Sequence, residues 1–332
     1  MKKCLISLVL FFLVGCATLS NDSSDEKLLS NKEGDASAND GPLNIPGYEP
    51  PKDIAEAIIR GDSALLQANL QKALFEYTQG LAILESEENA KQAKPEEKAK
   101  LYAKLGELNY SMNNLDAALY ATNSSLKFND KSIRAHELAG ILFLKKRAYS
   151  MAEFHFLESI HLDRERIKKE SMTNKPDKRS PFHSYTGLGL MSDLHKKFDE
   201  SDSYFQYAID IMPRAPQAYT NFGYSYYLRG NYPQAHKYFQ KALSFDSGYV
   251  QAWRNLGMLY VIEGHEIEAL KAFMTIEKDY EAYNDVGYVY QMLGKHVRAR
   301  YFFNEAIDAA PHYFVPAYAN LKNSEAGKNI QP

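Results

Sequence analysis

The sequence is poor in sulfur chemistry and in net charge. Two cysteines, Cys4 and Cys16, in 332 residues exclude a disulfide-stapled scaffold. A formal net charge of −3, from 39 Lys and Arg against 42 Asp and Glu, provides no basic footprint for nucleic acid as the main partner. No apolar run approaches the roughly 20 residues a bilayer-spanning helix needs; the longest, from Cys4, stops at Gly15. With 13 Pro and 18 Gly the chain is neither collagenous nor of low complexity. Aromatic residues, in contrast, are plentiful, with 24 Tyr and 17 Phe in a composition that is 45% hydrophobic. That is a folding chain, and it is longer than one core usually supports, so two domains or a repeat array is expected.

Lys2 and Lys3 precede the apolar run, an arrangement that reads as a signal peptide over residues 1–15. The run closes on Leu13-Val14-Gly15-Cys16, which resembles the bacterial lipobox. The resemblance implies cleavage before Cys16, acylation of its thiol and new amine, and a covalent lipid there with no other cofactor. Ala17 after the cysteine implies sorting to the outer membrane, with the protein lipid-anchored and facing the periplasm. Stable anchoring takes more than one acyl chain, which the lipoprotein pattern supplies. Processing would leave the mature chain without a free thiol.

Residues 16–50 then form a lipidated cysteine and an acidic lead. Asp22, Asp25, Glu26, Glu33, Asp35, Asp40 and Glu49 stand against Lys27 and Lys32, in a stretch dominated by Ser, Asn, Asp, Gly and Pro. Such a composition buries too little apolar surface to offset its ordering entropy. It reads as a disordered tether of about 30–35 Å mean span, by the random-coil scaling for flexible chains. Residues 51–332 hold 35 basic and 35 acidic side chains, so the excess charge lies in the lead.

From residue 54 onward the sequence repeats. Ala218-Tyr-Thr-Asn-Phe-Gly223, Ala252-Trp-Arg-Asn-Leu-Gly257, Ala282-Tyr-Asn-Asp-Val-Gly287 and Ala317-Tyr-Ala-Asn-Leu-Lys322 align. The first three continue with Tyr226, Tyr260 and Tyr290, then Gly230, Gly264 and Gly294. A small residue follows (Ala235, Ala269, Ala299), with Phe239, Phe273 and Phe303 four positions on. Leu188-Gly189, Ala139-Gly140 and Leu105-Gly106 fill the same slot upstream, with Ala152, Phe156 and Ala118 as second-helix positions. Pro213 and Pro311 stand where helices should stop. The pattern resembles the tetratricopeptide repeat over about residues 54–325. It implies an all-α fold, a right-handed superhelical solenoid of antiparallel helix pairs.

Repeats are expected at 54–87, 99–132, 133–166, 182–215, 216–249, 250–279 and 280–313, with a capping helix around 316–325. Gly61-Asp62 reads as an interruption of the first helix. Residues 88–98 and 167–181 are insertions, and the repeat at 250–279 is four residues short, which predicts a tighter turn there. The run Arg164, Arg166, Lys168, Lys169, Lys175, Lys178 and Arg179 reads mainly as a solvated helix end and loop, with a docking patch for an acidic partner or an anionic surface as the competing reading.

Catalytic patterns fail on inspection. His136-Glu137-Leu138-Ala139-Gly140 starts like a zinc-peptidase helix, but Gly140 stands where the second imidazole belongs. Glu158 and His161 have the spacing of a di-iron motif that occurs here only once. Gly187-Leu188-Gly189 has no strand before it. No catalytic residue, no metal site and no small-molecule substrate is expected.

In the resembled family the first helices line a concave groove. That implies Asn221, Tyr224 and Tyr227, then Arg254, Asn255 and Met258, then Asn284, Asp285, Tyr288 and Met292 as partner-binding positions. Asn can donate and accept at once to a peptide backbone, and Tyr and Met give adaptable apolar contact. The expected role is a membrane-anchored scaffold for protein partners. The organisation of lipobox, lead and repeats resembles the type IV pilotins and the tight-adherence (Flp) pilus assembly lipoproteins, which implies secretin, pilus or secretion components as partners. Alternatives are an envelope adaptor for peptidoglycan enzymes or outer-membrane protein assembly, a spacer without a groove partner, and an enzyme built from the insertions.

Overall fold

A computed structural model describes residues 48–85, 93–170 and 175–326. The signal peptide, Cys16 and the tether up to residue 47 lie outside the described residues, as do residues 88–92 of the insertion at 88–98. Among the described residues no helix is long and apolar enough to cross a membrane. The chain divides into two compact units between Asn174 and Lys175, within the second insertion.

The first unit holds α1 (Ile54–Leu66), α2 (Leu70–Glu85), α3 (Pro95–Ser111), α4 (Leu115–Phe128), α5 (Ile133–Lys145) and α6 (Tyr149–Glu170). The second holds α7 (Phe182–Leu194), α8 (Phe198–Ile211), α9 (Pro216–Leu228), α10 (Tyr232–Phe245), α11 (Val250–Glu263), α12 (Glu266–Met274), α13 (Asp279–Met292), α14 (His296–Ala309) and α15 (Val315–Ala326). In both, each odd-numbered helix packs on the even one that follows it, and its pair stacks on the next pair. The helix starts follow local chemistry: Asp53, Ser132 and Asn231 cap α1, α5 and α10 with side-chain oxygens that accept from backbone N–H groups.

The interior of each pair is set by one recurring contact. Gly140, Gly189, Gly223, Gly257 and Gly287 sit where Phe156, Phe205, Phe239, Phe273 and Phe303 cross, and a Cβ on any of them would lie within 2.4–2.8 Å of the ring. All five rings are essentially fully buried. Tyr77 plays the part of Phe against Gly61, so Gly61-Asp62 does not interrupt α1. The glycine admits the ring, and Asp62 accepts a 2.6 Å hydrogen bond from the Tyr77 hydroxyl. At Gly106 the facing residue is Thr122, whose hydroxyl donates to Ala118 O.

Seven residues past each of these glycines the chain turns with a positive φ. Gly230, Gly264 and Gly294 stand there in three copies, but Ala68, Asn113, Arg147 and Lys196 fill the same place in the other four. The sequence shows the turn only where it is glycine. The short repeat at 250–279 takes its deletion from the second helix: α12 has 9 residues where α10 and α14 have 14. Its chain re-enters the next repeat through Thr275 to Lys278.

Candidate functional site

The Gly slot provides a register for the first-helix faces. The residue just after it is Leu190, Tyr224, Met258 or Tyr288 in the second unit, and Asp62, Glu107 or Ile141 in the first. Two of the three copies in the first unit therefore carry an acid where the second unit carries an apolar or aromatic side chain.

In the second unit, several expected contact residues are packed away. Tyr224 and Tyr227 stack at 5.4 Å and, with Met258, belong to the buried core cluster around Leu256 and Leu259. Burial raises both phenols above their ordinary pKa, Tyr227 to about 12. Asn255 is buried, and Asn284 accepts from Asn320 Nδ2 at 2.9 Å. Tyr288, at 38% exposure, is the open one among them; Asn221, Arg254 and Met292 are half-buried. In these copies the neighbouring repeat closes over most of the apolar side chains on the first helices.

The structure adds a residue that slot-counting missed. The tight turn after α12 carries Glu277 to Arg254 Nη2, 3.6 Å away, beside Asp285. Arg254 Nε and Glu277 Oε1 are buried without a hydrogen-bond partner. Desolvation first, then the neighbouring Asp285 charge, holds the Glu277 carboxyl well above its usual range, with Arg254 opposing. Asp285 is raised by the same desolvation, with Arg254 pulling it back.

In the first unit the face carries charge. Lys104 pairs with Asp62 of the preceding repeat at 2.7 Å, and Arg134 with Glu107 at 2.8 Å. Between α3, α4 and α5 lies a cavity of about 340 Å³. Its floor is made of small side chains, Ala99, Ala103, Ala135, Thr122 and Ser125, and its walls carry Glu96, Lys100 and Arg134. Ser125 donates to Ala99 O at 2.8 Å, which ties the floor to α3. The cavity exists because Ala103 and Thr122 leave open the space that larger side chains fill elsewhere. Its size suits a few residues of extended chain, with polar walls to orient them. Its sequence signal was the run of Ala, Ser and Thr at inward slots.

Three cations of the basic run have acidic partners: Arg166 bonds the buried Asp163 at 2.6 Å, Lys168 meets Glu165 at 3.0 Å and Arg179 meets Asp177 at 3.3 Å. His136 donates or accepts at His155 (Nδ1 to Nδ1, 3.0 Å) and also meets Asp130 O at 2.9 Å, a packing arrangement. Among the described residues no three metal-capable side chains gather.

Helix pairs stacked on a Gly–aromatic contact, with a register of left-handed turns, define a tetratricopeptide-repeat fold. Residues 216–249 match the tetratricopeptide repeat family. A tetratricopeptide repeat protein from Parabacteroides merdae superposes with a TM-score of 0.55 at 16% identity, over 82% of this chain and 98% of that one. The chain is also similar to Pseudomonas aeruginosa PilF (TM-score 0.47, 14% identity, 70% and 99% covered). A third similar structure is PilW, a type IV pilus biogenesis factor (TM-score 0.45, 12% identity, 81% and 97% covered). Compared with curated proteins, the sequence matches none.

Proposed function

We propose that the protein is a lipid-anchored scaffold that holds a segment of a protein partner against the first-helix face of its repeats. The observation that carries this reading is the cavity between α3, α4 and α5, lined by Lys100, Arg134 and a floor of small residues. A tetratricopeptide-repeat fold is suited to such capture because each pair exposes one helix face and buries the other. The anchor rests on Leu13-Val14-Gly15-Cys16, with acylation at Cys16 and the folded units facing the periplasm from the outer membrane. The combination of anchor, acidic lead and repeats supports a role in assembling a type IV or Flp pilus or a secretion machine, with a secretin or pilus subunit as partner.

Two measurements test the reading separately. Growth with labelled palmitate should give a labelled protein that Cys16→Ser abolishes; an unlabelled wild type contradicts the anchor. Purification of the full-length protein from detergent-solubilised membranes should yield a partner that Lys100→Glu with Arg134→Glu releases. Full retention by that double variant contradicts capture in the cavity.

A further inference from the structure

Helix α6 presents an apolar ridge on its solvent side. Met151, Phe154 and Leu157 are 46%, 55% and 47% exposed and follow one another at helical spacing on one face. They are not packing residues displaced by a missing neighbour. The equivalent slots, counted from the buried small residue, hold Gln234, Lys237 and Gln240 on α10, and Glu200, Ser203 and Gln206 on α8. Tyr120 and Tyr301 also place an aromatic at the middle slot, on α4 and α14, but α6 has a large apolar side chain at all three.

Basic side chains bracket the ridge. Arg147, in the turn before α6, is exposed, and His161 and Arg164 continue the same face beyond Leu157. From Met151 to Arg164 the stripe runs about 20 Å at the helical rise per residue. Glu153 and Glu158 flank it but are half-buried, and Glu165 is engaged with Lys168 at 3.0 Å. Apolar side chains projecting from a convex helix face, with cationic groups at either end, match the boundary between acyl chains and anionic headgroups.

We propose that this face of α6 lies against a membrane surface containing anionic phospholipid, with Phe154 at the acyl boundary and Arg147 and Arg164 at headgroup level. A second copy of the chain is a poorer occupant. Antiparallel pairing of two α6 ridges brings Arg164 of one beside Arg147 of the other, with like charges opposed. The inference does not need acylation at Cys16, because it concerns which side of the first unit meets lipid.

A single-tryptophan reporter tests it. Trp253, the natural one, is replaced by Phe in the full-length chain, and Phe154→Trp places a reporter on the ridge. Added vesicles are phosphatidylethanolamine and phosphatidylglycerol, or phosphatidylcholine alone, with or without brominated acyl chains. A control chain carries Lys237→Trp, the equivalent slot on α10. The reporter at 154 should shift to the blue and be quenched by brominated lipid in the anionic vesicles. Arg147→Glu with Arg164→Glu should weaken binding to the anionic vesicles by about 25-fold or more, since each surface cation is worth roughly a factor of five on such membranes. The reporter at 237 should not respond. Three results overturn the proposal: no response at 154 to the anionic vesicles, whether or not the chain co-sediments with them, equal quenching at 154 and 237, or a response at 154 only when a protein partner is added.

Discussion

Phe239 closes over the bare Cα of Gly223, so near that a Cβ there would sit 2.7 Å from Cε1 of the ring. The same relationship, repeated between Gly257 and Phe273 and between Gly287 and Phe303, fixes how closely the two helices of each pair approach. It makes Gly223 a packing residue, in a helix where its conformational freedom has no use.

Gly223→Ala should therefore destabilise the second unit by about 1–3 kcal/mol, the range for overpacking a filled core. Phe239→Ala should cost about 3–5 kcal/mol through the cavity it leaves. The double variant should cost less than the sum, because the added methyl partly fills the space the ring vacates. Urea denaturation of the three variants checks this.

The left-handed turns give an opposite prediction. Lys196 holds φ 59° and Arg147 holds φ 60°, a conformation that costs a side chain about 1–2 kcal/mol. Lys196→Gly relieves that cost against glycine's greater unfolded-state freedom of about 0.5–1 kcal/mol. The net gain should raise the melting temperature of the second unit by a degree or more, about 2–4 °C per kcal/mol at this size.

His155 is held down to about 4, by burial first and then by His136. A base with a depressed folded pKa binds protons better unfolded, so its contribution is full above the unfolded value of 6.5 and is lost as pH falls toward 4. The first unit should lose stability across that window. Imidazole resonances followed by NMR should show His155 still neutral where an ordinary histidine has titrated.

Glu277 runs the other way. Its carboxyl is raised by desolvation and by Asp285, so the folded state holds the proton more tightly than the unfolded chain. That contribution is complete below the usual glutamate value of 4.5 and disappears as pH rises through the folded value. Stability of the second unit should fall as pH rises from 4.5 to that folded value, and Glu277→Gln should flatten the slope. Carboxyl carbon shifts of Glu277 and Asp285 give the same information directly.

Much of this architecture was legible in the residues. Gly223 with Phe239, and Gly257 with Phe273, announce a helix pair by spacing alone, because a ring that large needs a missing side chain opposite it. The exceptions were local substitutions inside the same device. Gly61 looked like a break because its partner is Tyr77 and not Phe, and four turns were hidden because Ala68, Asn113, Arg147 and Lys196 occupy the glycine's place. The site was less legible. Spacing places Tyr224 and Met258 on the first-helix face, but burial depends on how closely the next repeat stacks, and there they join the core. Glu277 arrives through a shortened loop, which no helical register reports. The cavity in the first unit is made by what Ala99, Ala103 and Ala135 lack, and small residues at such slots also read as close packing.

Capture of a protein segment on the first-helix face of the repeats is open to direct test. A photo-crosslinking amino acid at Ala103, inside the cavity, and another at Tyr120, 68% exposed on α4, tests it in intact cells. Position 103 should give a discrete protein adduct, lost in Lys100→Glu with Arg134→Glu, and position 120 should give none. An adduct from 120 with none from 103 would contradict it.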